Sequence, residues 1–371
     1  MNFDFTDEQK QLRDSVRGYL DESCPSGAVR AVVAAAEGYD RTLWKGLADL
    51  GLAGAAIPEE FGGVGGGHLE LCVIAEELGR CLAPVPFSSS IYLAAELILR
   101  AGSDAQKREH LPKVASGASV GTFALAESAG RITPAAIRAT VAGGRLTGVK
   151  LPVPDGDSAD FAVVAARGTQ GDGIGLYLVD LAGPGVRRVP VPTVDPSRKH
   201  ARLEFDAAPA EPLAGADGWR AAEAAIDAAA VLTAFEQVGG AERALYMARD
   251  YALDRMAFGR PIGSFQAIKH MLADMYVSAT LARSNAYYGA WALSTAAAEL
   301  PVAAATARVS ATQAFQQCSM NNIQVHGGMG FTYEFDCHLY YRRSNLLAVS
   351  LGGLSQWESD LIARMRAARA A

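Results

Sequence analysis

The chain has 371 residues, a formal net charge of -6 at pH 7, 50% hydrophobic residues and 20% charged ones. That length builds more than one domain, and that composition is ordinary for a soluble globular protein. The acidic balance argues against nucleic acid as a partner, because phosphate binding needs a basic face and the chain offers only pairs such as Arg342-Arg343, read here as a solvated helix face.

The first 120 residues read as helices. Thr6-Asp-Glu-Gln9 has the spacing of a capping box, and Leu12, Val16 and Tyr19 or Leu20 follow at helical intervals. Leu43, Trp44, Leu47 and Leu50 mark a second helix that Gly51 is placed to end. The turn-rich Ile57-Pro-Glu-Glu-Phe-Gly-Gly63 follows, with more glycines at Gly65, Gly66 and Gly67. An amphipathic helix is expected over Leu69 to Leu82, and two more over residues 91 to 116 with a turn near Gly102-Ser103.

Near Gly121 the period changes. Thr122-Phe-Ala-Leu-Ala, Ala139-Thr-Val, Phe161-Ala-Val-Val-Ala and Leu176-Tyr-Leu-Val are short apolar or alternating runs, punctuated by Gly143-Gly144, Gly156, Gly171, Gly173 and Pro184-Gly185. They predict a small antiparallel β-domain that closes near Pro212 to Gly218. From Trp219 onward the chain is alanine-rich, interrupted only by Pro261 and Pro301, so long helices are expected. The fold class is mainly α with a β insert.

The five cysteines (Cys24, Cys72, Cys81, Cys318, Cys337) lack any Cys-x-x-Cys spacing and read as reduced intracellular thiols. The histidines show no metal spacing. Met1-Asn-Phe-Asp-Phe is not a secretory leader, and no apolar run approaches the roughly 18 residues of a membrane span. A cytoplasmic protein is expected.

Taken alone, Gly327-Gly328-Met-Gly330 marks a tight turn, and Arg255 and Arg260 are surface arginines. Glycine also lets a backbone approach a ligand closely, and arginine matches phosphate oxygens in pairs. Four segments carry a resemblance: Ile57-Pro-Glu-Glu-Phe-Gly-Gly63, Glu76-Glu77-Leu-Gly79, Arg255-Met-Ala-Phe258-Gly259 with Gln266 downstream, and Gln324-Val-His-Gly327-Gly328-Met-Gly330. In this order, and over essentially the whole chain, they resemble the flavin-dependent acyl-CoA dehydrogenase family.

The resemblance implies an N-terminal helical domain (1–120), a middle β-barrel (121–215) and a C-terminal four-helix bundle (216–371). It implies FAD as cofactor, an acyl-CoA thioester as substrate and an assembly of dimers. An electron-transfer flavoprotein is the family's electron acceptor. In the family, the flavin ring lies against the β-domain and bundle of one subunit, and a neighbour's arginine segment and glycine turn hold the ADP part. By that likeness Arg255, Phe258, Gln266, Gln324, Gly327 and Gly328 hold an FAD whose ring sits in the partner.

The departures from the family fall on the ring site and on the base. The family's Thr-Glu-Pro-x-Ala-Gly-Ser-Asp appears as Ala126-Glu127-Ser128-Ala129-Gly130-Arg131, so the flavin-bonding threonine is alanine. Lys150-Leu-Pro152-Val-Pro154-Asp155 has proline for the tryptophan that covers the ring and a second proline for a hydroxyl. Gly352 stands at the usual position of the catalytic glutamate, and an alternative position one helix earlier falls near Ala229. No residue of this chain is therefore assigned as catalytic. Three readings follow: a subunit that shares its FAD site with a paralogous partner in a tetramer of two copies of each; a homo-oligomeric enzyme whose base has moved to Asp227, Glu236 or Glu334; and a non-catalytic flavin- or CoA-binding partner protein. For Glu236 the plainer expectation is a solvated carboxylate or a pair with Arg243.

Overall fold

The computed structural model describes residues 5–35, 38–168, 173–215 and 217–370. Residues 1–4, Gly171 and the boundary residues Ala216 and Ala371, all used above, lie outside them. In chain order, α1 (Asp7–Ser23), α2 (Ser26–Ala34), α3 (Arg41–Asp49) and α4 (His68–Cys81) precede a π-helical stretch, Ser88–Ala95. That stretch runs on as α5 (Glu96–Ala101), and α6 (Asp104–Ala115) follows. Eight strands come next: β1 (Gly121–Ala124), β2 (Thr140–Ala142), β3 (Arg145–Pro154), β4 (Phe161–Gly168), β5 (Ile174–Asp180), β6 (Val186–Val191), β7 (His200–Pro209) and β8 (Glu211–Pro212). The rest is α7 (Gly218–Asp254), the short β9 (Met256–Ala257) and β10 (Arg260–Pro261), α8 (Gln266–Ser294), α9 (Leu300–His326), α10 (Cys337–Val349) and α11 (Leu354–Ala370). Contacts divide the chain into two compact units. One contains residues 1–29, 68–83 and 230–371, the other residues 30–67 and 84–229.

In the first unit the Thr6 capping box forms: Thr6 Oγ1 accepts from Gln9 N at 3.3 Å, and Gln9 Oε1 accepts from Thr6 N at 3.0 Å. The helix expected to be amphipathic, α4, is instead buried all round from Leu71 to Gly79. The two carboxylates of that stretch tolerate this because arginines surround them. Glu77 takes Arg17 at 2.7 Å and Arg80 at 2.8 Å, and Glu76 takes Arg283 at 2.7 Å. The expected bundle is present. α9 packs against α8, α10 and α11, and α7 reaches α9 through Gln237, whose amide donates to Thr312 at 3.1 Å. Arg343 is buried, not solvated, with its guanidinium on the Leu82 carbonyl at 3.2 Å.

In the second unit, Asp40 caps α3 through Leu43 N at 2.9 Å, and Gly51 leaves that helix with φ +75°. Ser103 and Gln106 form a second capping box at α6. The strands pair in the order β6-β7-β3-β2-β4-β5-β8, with β1 beside β4. This path is open among the described residues, so the expected barrel is a curved sheet without a closing pair. It is not antiparallel throughout either, because β1 and β2 both run parallel to β4. The sequence of β4 fits that place: its first six residues are all buried, as in a strand covered on both faces. β3 absorbs Pro152 through a register shift between Lys150 and Val153, while Leu151 N leaves the ladder to bond Ala126 O at 2.8 Å. No helix among the described residues is long and apolar enough to cross a membrane.

Candidate cofactor site

The two segments singled out in the C-terminal third meet at one end of the first unit. α7 runs for 37 residues and then enters the β9–β10 hairpin. Phe258 (φ +54°) and Gly259 (φ +76°) occupy the two central positions, the positive-φ pair that a two-residue hairpin needs. Ile262 N closes the hairpin on Arg255 O at 2.8 Å. The Arg260 guanidinium lies 4.1 Å above the Phe265 ring, which meets Phe258 edge-on. Phe258 is nevertheless 94% exposed. The hairpin sets the left-handed backbone at this position, but it does not require a large exposed aromatic there.

The glycine turn is built just as locally. α9 ends at His326, and Gly327 (φ +59°) starts a 3₁₀ turn through Phe331. Gly330 has to be glycine, because a Cβ there would lie 2.6 Å from the Ile323 carbonyl. At Gly327 and Gly328 a Cβ would meet only open space, so no packing within the chain demands glycine at Gly328. The hairpin and the turn are joined by rings. Tyr251, one helical turn before Arg255, stacks on His326 at 4.1 Å, and Phe335 sits edge-on to Tyr251. His326 Nδ1 pairs with the Asn322 carbonyl at 2.8 Å, and burial holds the imidazole below its usual pKa, hence neutral.

All six residues expected to hold a cofactor are exposed in this region: Arg255, Phe258, Gln266 at the start of α8, Gln324 on the last turn of α9, Gly327 and Gly328. A guanidinium beside glycines without side chains suits an anionic group such as a pyrophosphate.

The turn that holds Gly352 lies between α10 and α11, also in the first unit. Leu351 (φ +60°) and Gly352 (φ +102°) are both left-handed. The carbonyls of Leu347 and Ser350 accept from the buried Arg308, and Leu351 O accepts from Trp357 Nε1 at 3.1 Å. No carboxylate stands on this turn. Of the relocated candidates, Glu236 is buried and lies 3.5 Å from Arg343, which corrects both the solvated reading and the pairing with Arg243. Asp227 is buried and Glu334 is exposed. Arg308 went unnoticed in the sequence, although a lone arginine among Ala304, Ala305, Ala307 and Ala311 on one helix face was a readable signal.

In the second unit, the positions named for the ring site carry no side-chain donor: Ala126 offers a methyl, Pro152 is exposed, and Pro154 gives only its carbonyl, which accepts from Thr122 Oγ1 at 2.6 Å. The neighbouring Glu127 is fully used. It pairs with the buried Lys150 at 2.7 Å and accepts from the backbone N–H groups of Arg138 and Ala139. The exposed C-terminal group thus offers a guanidinium and open glycine backbone, whereas Ala126, Pro152 and Pro154 offer no side-chain hydrogen-bond donor.

The family models for the acyl-CoA dehydrogenase N-terminal and C-terminal domains match residues 6–118 and 216–366. Acyl-CoA dehydrogenase IpdE2 of Mycobacterium tuberculosis is 35% identical over 91% of this chain and 91% of its own length. The chain belongs to the acyl-CoA dehydrogenase family. Among solved structures, the Tcur3481-Tcur3483 steroid ACAD variant superposes with a TM-score of 0.89 at 32% identity, covering 98% of this chain and 99% of that one. The ChsE4-ChsE5 complex of Mycobacterium tuberculosis gives 0.90 at 29% identity, covering 99% of each chain. The family is one of FAD-dependent oxidoreductases acting on CH–CH bonds, and FAD is the cofactor of this fold.

Proposed function

We propose that this chain is one half of a heteromeric acyl-CoA dehydrogenase. It contributes the ADP-holding half of a shared FAD site, and a paralogous subunit contributes the ring pocket and the base. The observation that carries this reading is a division within the chain. Arg255, Phe258, Gln266, Gln324, Gly327 and Gly328 are exposed together, whereas the ring and base positions hold Ala126, Pro152, Pro154 and Gly352. FAD, when bound, accepts a hydride from the acyl β-carbon while a carboxylate takes the α-proton. Here Arg255 holds the pyrophosphate, Phe258 covers an edge of the nucleotide, and the Gly327-Gly328 backbone approaches it without hindrance. Relatives of matching fold bear the names of two-chain assemblies and of a steroid ACAD, which supports a paired assembly and a bulky acyl-CoA thioester as substrate. The assembly works in the cytoplasm and passes electrons to an electron-transfer flavoprotein, and the domain limits near residues 120 and 215 belong to the same proposal.

Expressed alone, the chain should retain little FAD. Co-expressed with a paralogue that has the ring pocket and base, it should give a yellow complex with one FAD for each pair of chains. Arg255→Ala should strip the flavin from that complex without unfolding either subunit. A homo-oligomer that keeps one FAD per chain through purification, and keeps it in Arg255→Ala, would overturn the reading.

A further inference from the structure

Cys24 and Cys81 lie 57 residues apart in sequence and side by side in the first unit. Cys24 caps α1, and Cys81 is the last residue of α4. The Cys24 thiol donates to the Cys81 carbonyl at 3.8 Å, and the Cys81 thiol to the Leu78 carbonyl at 3.5 Å. Arg80 fixes the two helix ends beside them, with ion pairs to Asp21 at 2.5 Å on α1 and to Glu77 at 2.8 Å on its own helix. Both sulfurs line one cavity of about 280 Å³, whose rim carries the exposed residues Asp21, Ser26 and Arg243. The other three cysteines, Cys72, Cys318 and Cys337, are buried and do not line it.

We propose that Cys24 and Cys81 are a thiol-oxidation site that closes to a reversible disulfide when a peroxide enters this cavity. Hydrogen peroxide oxidises one thiol to a sulfenic acid and leaves as water. The second thiol attacks that sulfur, the S–S bond forms, and a second water departs. Two electrons pass from the two sulfurs to the peroxide, and a dithiol reductant reverses the step. The neighbouring Cys24 side chain and burial hold the Cys81 thiol well above its usual range. Cys81 therefore reacts slowly at neutral pH, and its reaction quickens as pH rises. Closure would staple the end of α1 to the end of α4, next to the buried Glu77 and its two arginines.

The test is a peptide map of the purified full-length protein, in whatever assembly it is isolated, after graded hydrogen peroxide and alkylation in denaturant. The expected result is protection of two of the five cysteines and one Cys24–Cys81-linked peptide, two hydrogens lighter than its parts and released by dithiothreitol. The link should form faster at about pH 9 than at about pH 7. C24S should abolish the link and leave Cys81 as a sulfenic acid that dimedone traps. Five alkylated thiols after treatment, links to Cys72, Cys318 or Cys337, or separate oxidation of Cys24 and Cys81 without a link would each overturn the proposal. The wild-type map decides even if C24S does not fold.

Discussion

The buried guanidinium of Arg308 donates to the Ser350 carbonyl at 2.7 Å and so anchors the turn in which Gly352 stands. The same side chain donates to Leu347 O and to Gln237 Oε1. These hydrogen-bond acceptors are neutral. Burial pushes the Arg308 pKa down to about 10, and the nearby charge of Glu236 raises it only in part. The cation is kept because it sits at the carboxyl end of α10, where the helix presents unsatisfied carbonyls and a partial negative charge.

Removing that cation should loosen the turn. Arg308→Met removes the guanidinium donor from the Leu347 and Ser350 carbonyls and leaves Gln237 Oε1 only the Thr312 hydroxyl at 3.3 Å, and should cost about 3 kcal/mol in urea unfolding. Arg308→Lys keeps the charge with fewer donors and should cost less. An unchanged urea midpoint in Arg308→Met would show that the turn is held by Trp357 and the backbone alone.

Gly352→Glu puts a carboxylate where the family's base stands, on a backbone that resists it. At φ +102° a side chain is strained, and its Cβ would come within 3.1 Å of the Gln356 side chain. Gln356 is flexible and can move, so the cost is mainly the backbone term, about 1–3 kcal/mol. No dehydrogenation should appear in the variant alone, because Ala126, Pro152 and Pro154 still provide no surface for the flavin ring. The measurement is acyl-CoA-dependent bleaching of flavin absorbance. Rapid bleaching would mean that this chain holds a whole flavin by itself.

Glu76-Glu77-Leu-Gly79, read in the sequence as a family signature, proves to be a helix crossing. A Cβ on Gly79 would lie 1.9 Å from the Glu236 carbonyl on α7, and a Cβ on Gly239 would lie 1.9 Å from the Glu76 carbonyl on α4. Each glycine admits the other helix's backbone. Gly79→Ala and Gly239→Ala should each destabilise by about 3 kcal/mol or more, since two backbones have to part. Thermal unfolding of either variant at the wild-type temperature would show that the helices can separate freely.

What was legible in the sequence is what depends on near neighbours. The capping box at Thr6 needs only residues three positions apart, and the long α7, α8 and α9 need only alanine and few prolines. The hairpin at Phe258-Gly259 and the turn at Gly327 are local in the same way. Non-local facts stayed hidden. β3 shows no clean alternation in the sequence, because Gly148, Pro152 and Pro154 break it, and its place is secured by β7, some fifty residues on. Nor could the parallel partners of β4 be read from its own run of apolar residues. α4 looked amphipathic because its glutamates are charged, and only Arg17, Arg80 and Arg283 explain their burial. At the candidate site the residue types were visible early, but the Tyr251–His326 stack that gathers them was not.

Acid should destabilise the fold through its partly and fully buried histidines. His110, His200 and His326 all have pKa values lowered from the ordinary histidine value, and in each the first cause is burial. His200 is the most constrained, with a buried Nδ1 that has no hydrogen-bond partner. In the unfolded chain these rings protonate near pH ~6.5, whereas in the folded chain they stay neutral to lower pH. Below about pH 6.5 the unfolded state therefore binds more protons, so stability falls as pH falls and is fully present above that value. Glu76 and Asp157 act in the opposite sense, because burial raises their pKa values, so their effect lies upward from their ordinary values of 4.5 and 3.8 and offsets part of the decline. Urea midpoints measured between about pH 7.5 and 5.5 should decline steadily, and His200→Gln, which cannot take up a proton in either state, should make the decline shallower. A flat profile for the wild-type protein, or an equally steep one for His200→Gln, would mean that this ring titrates alike in both states and that burial does not govern its proton.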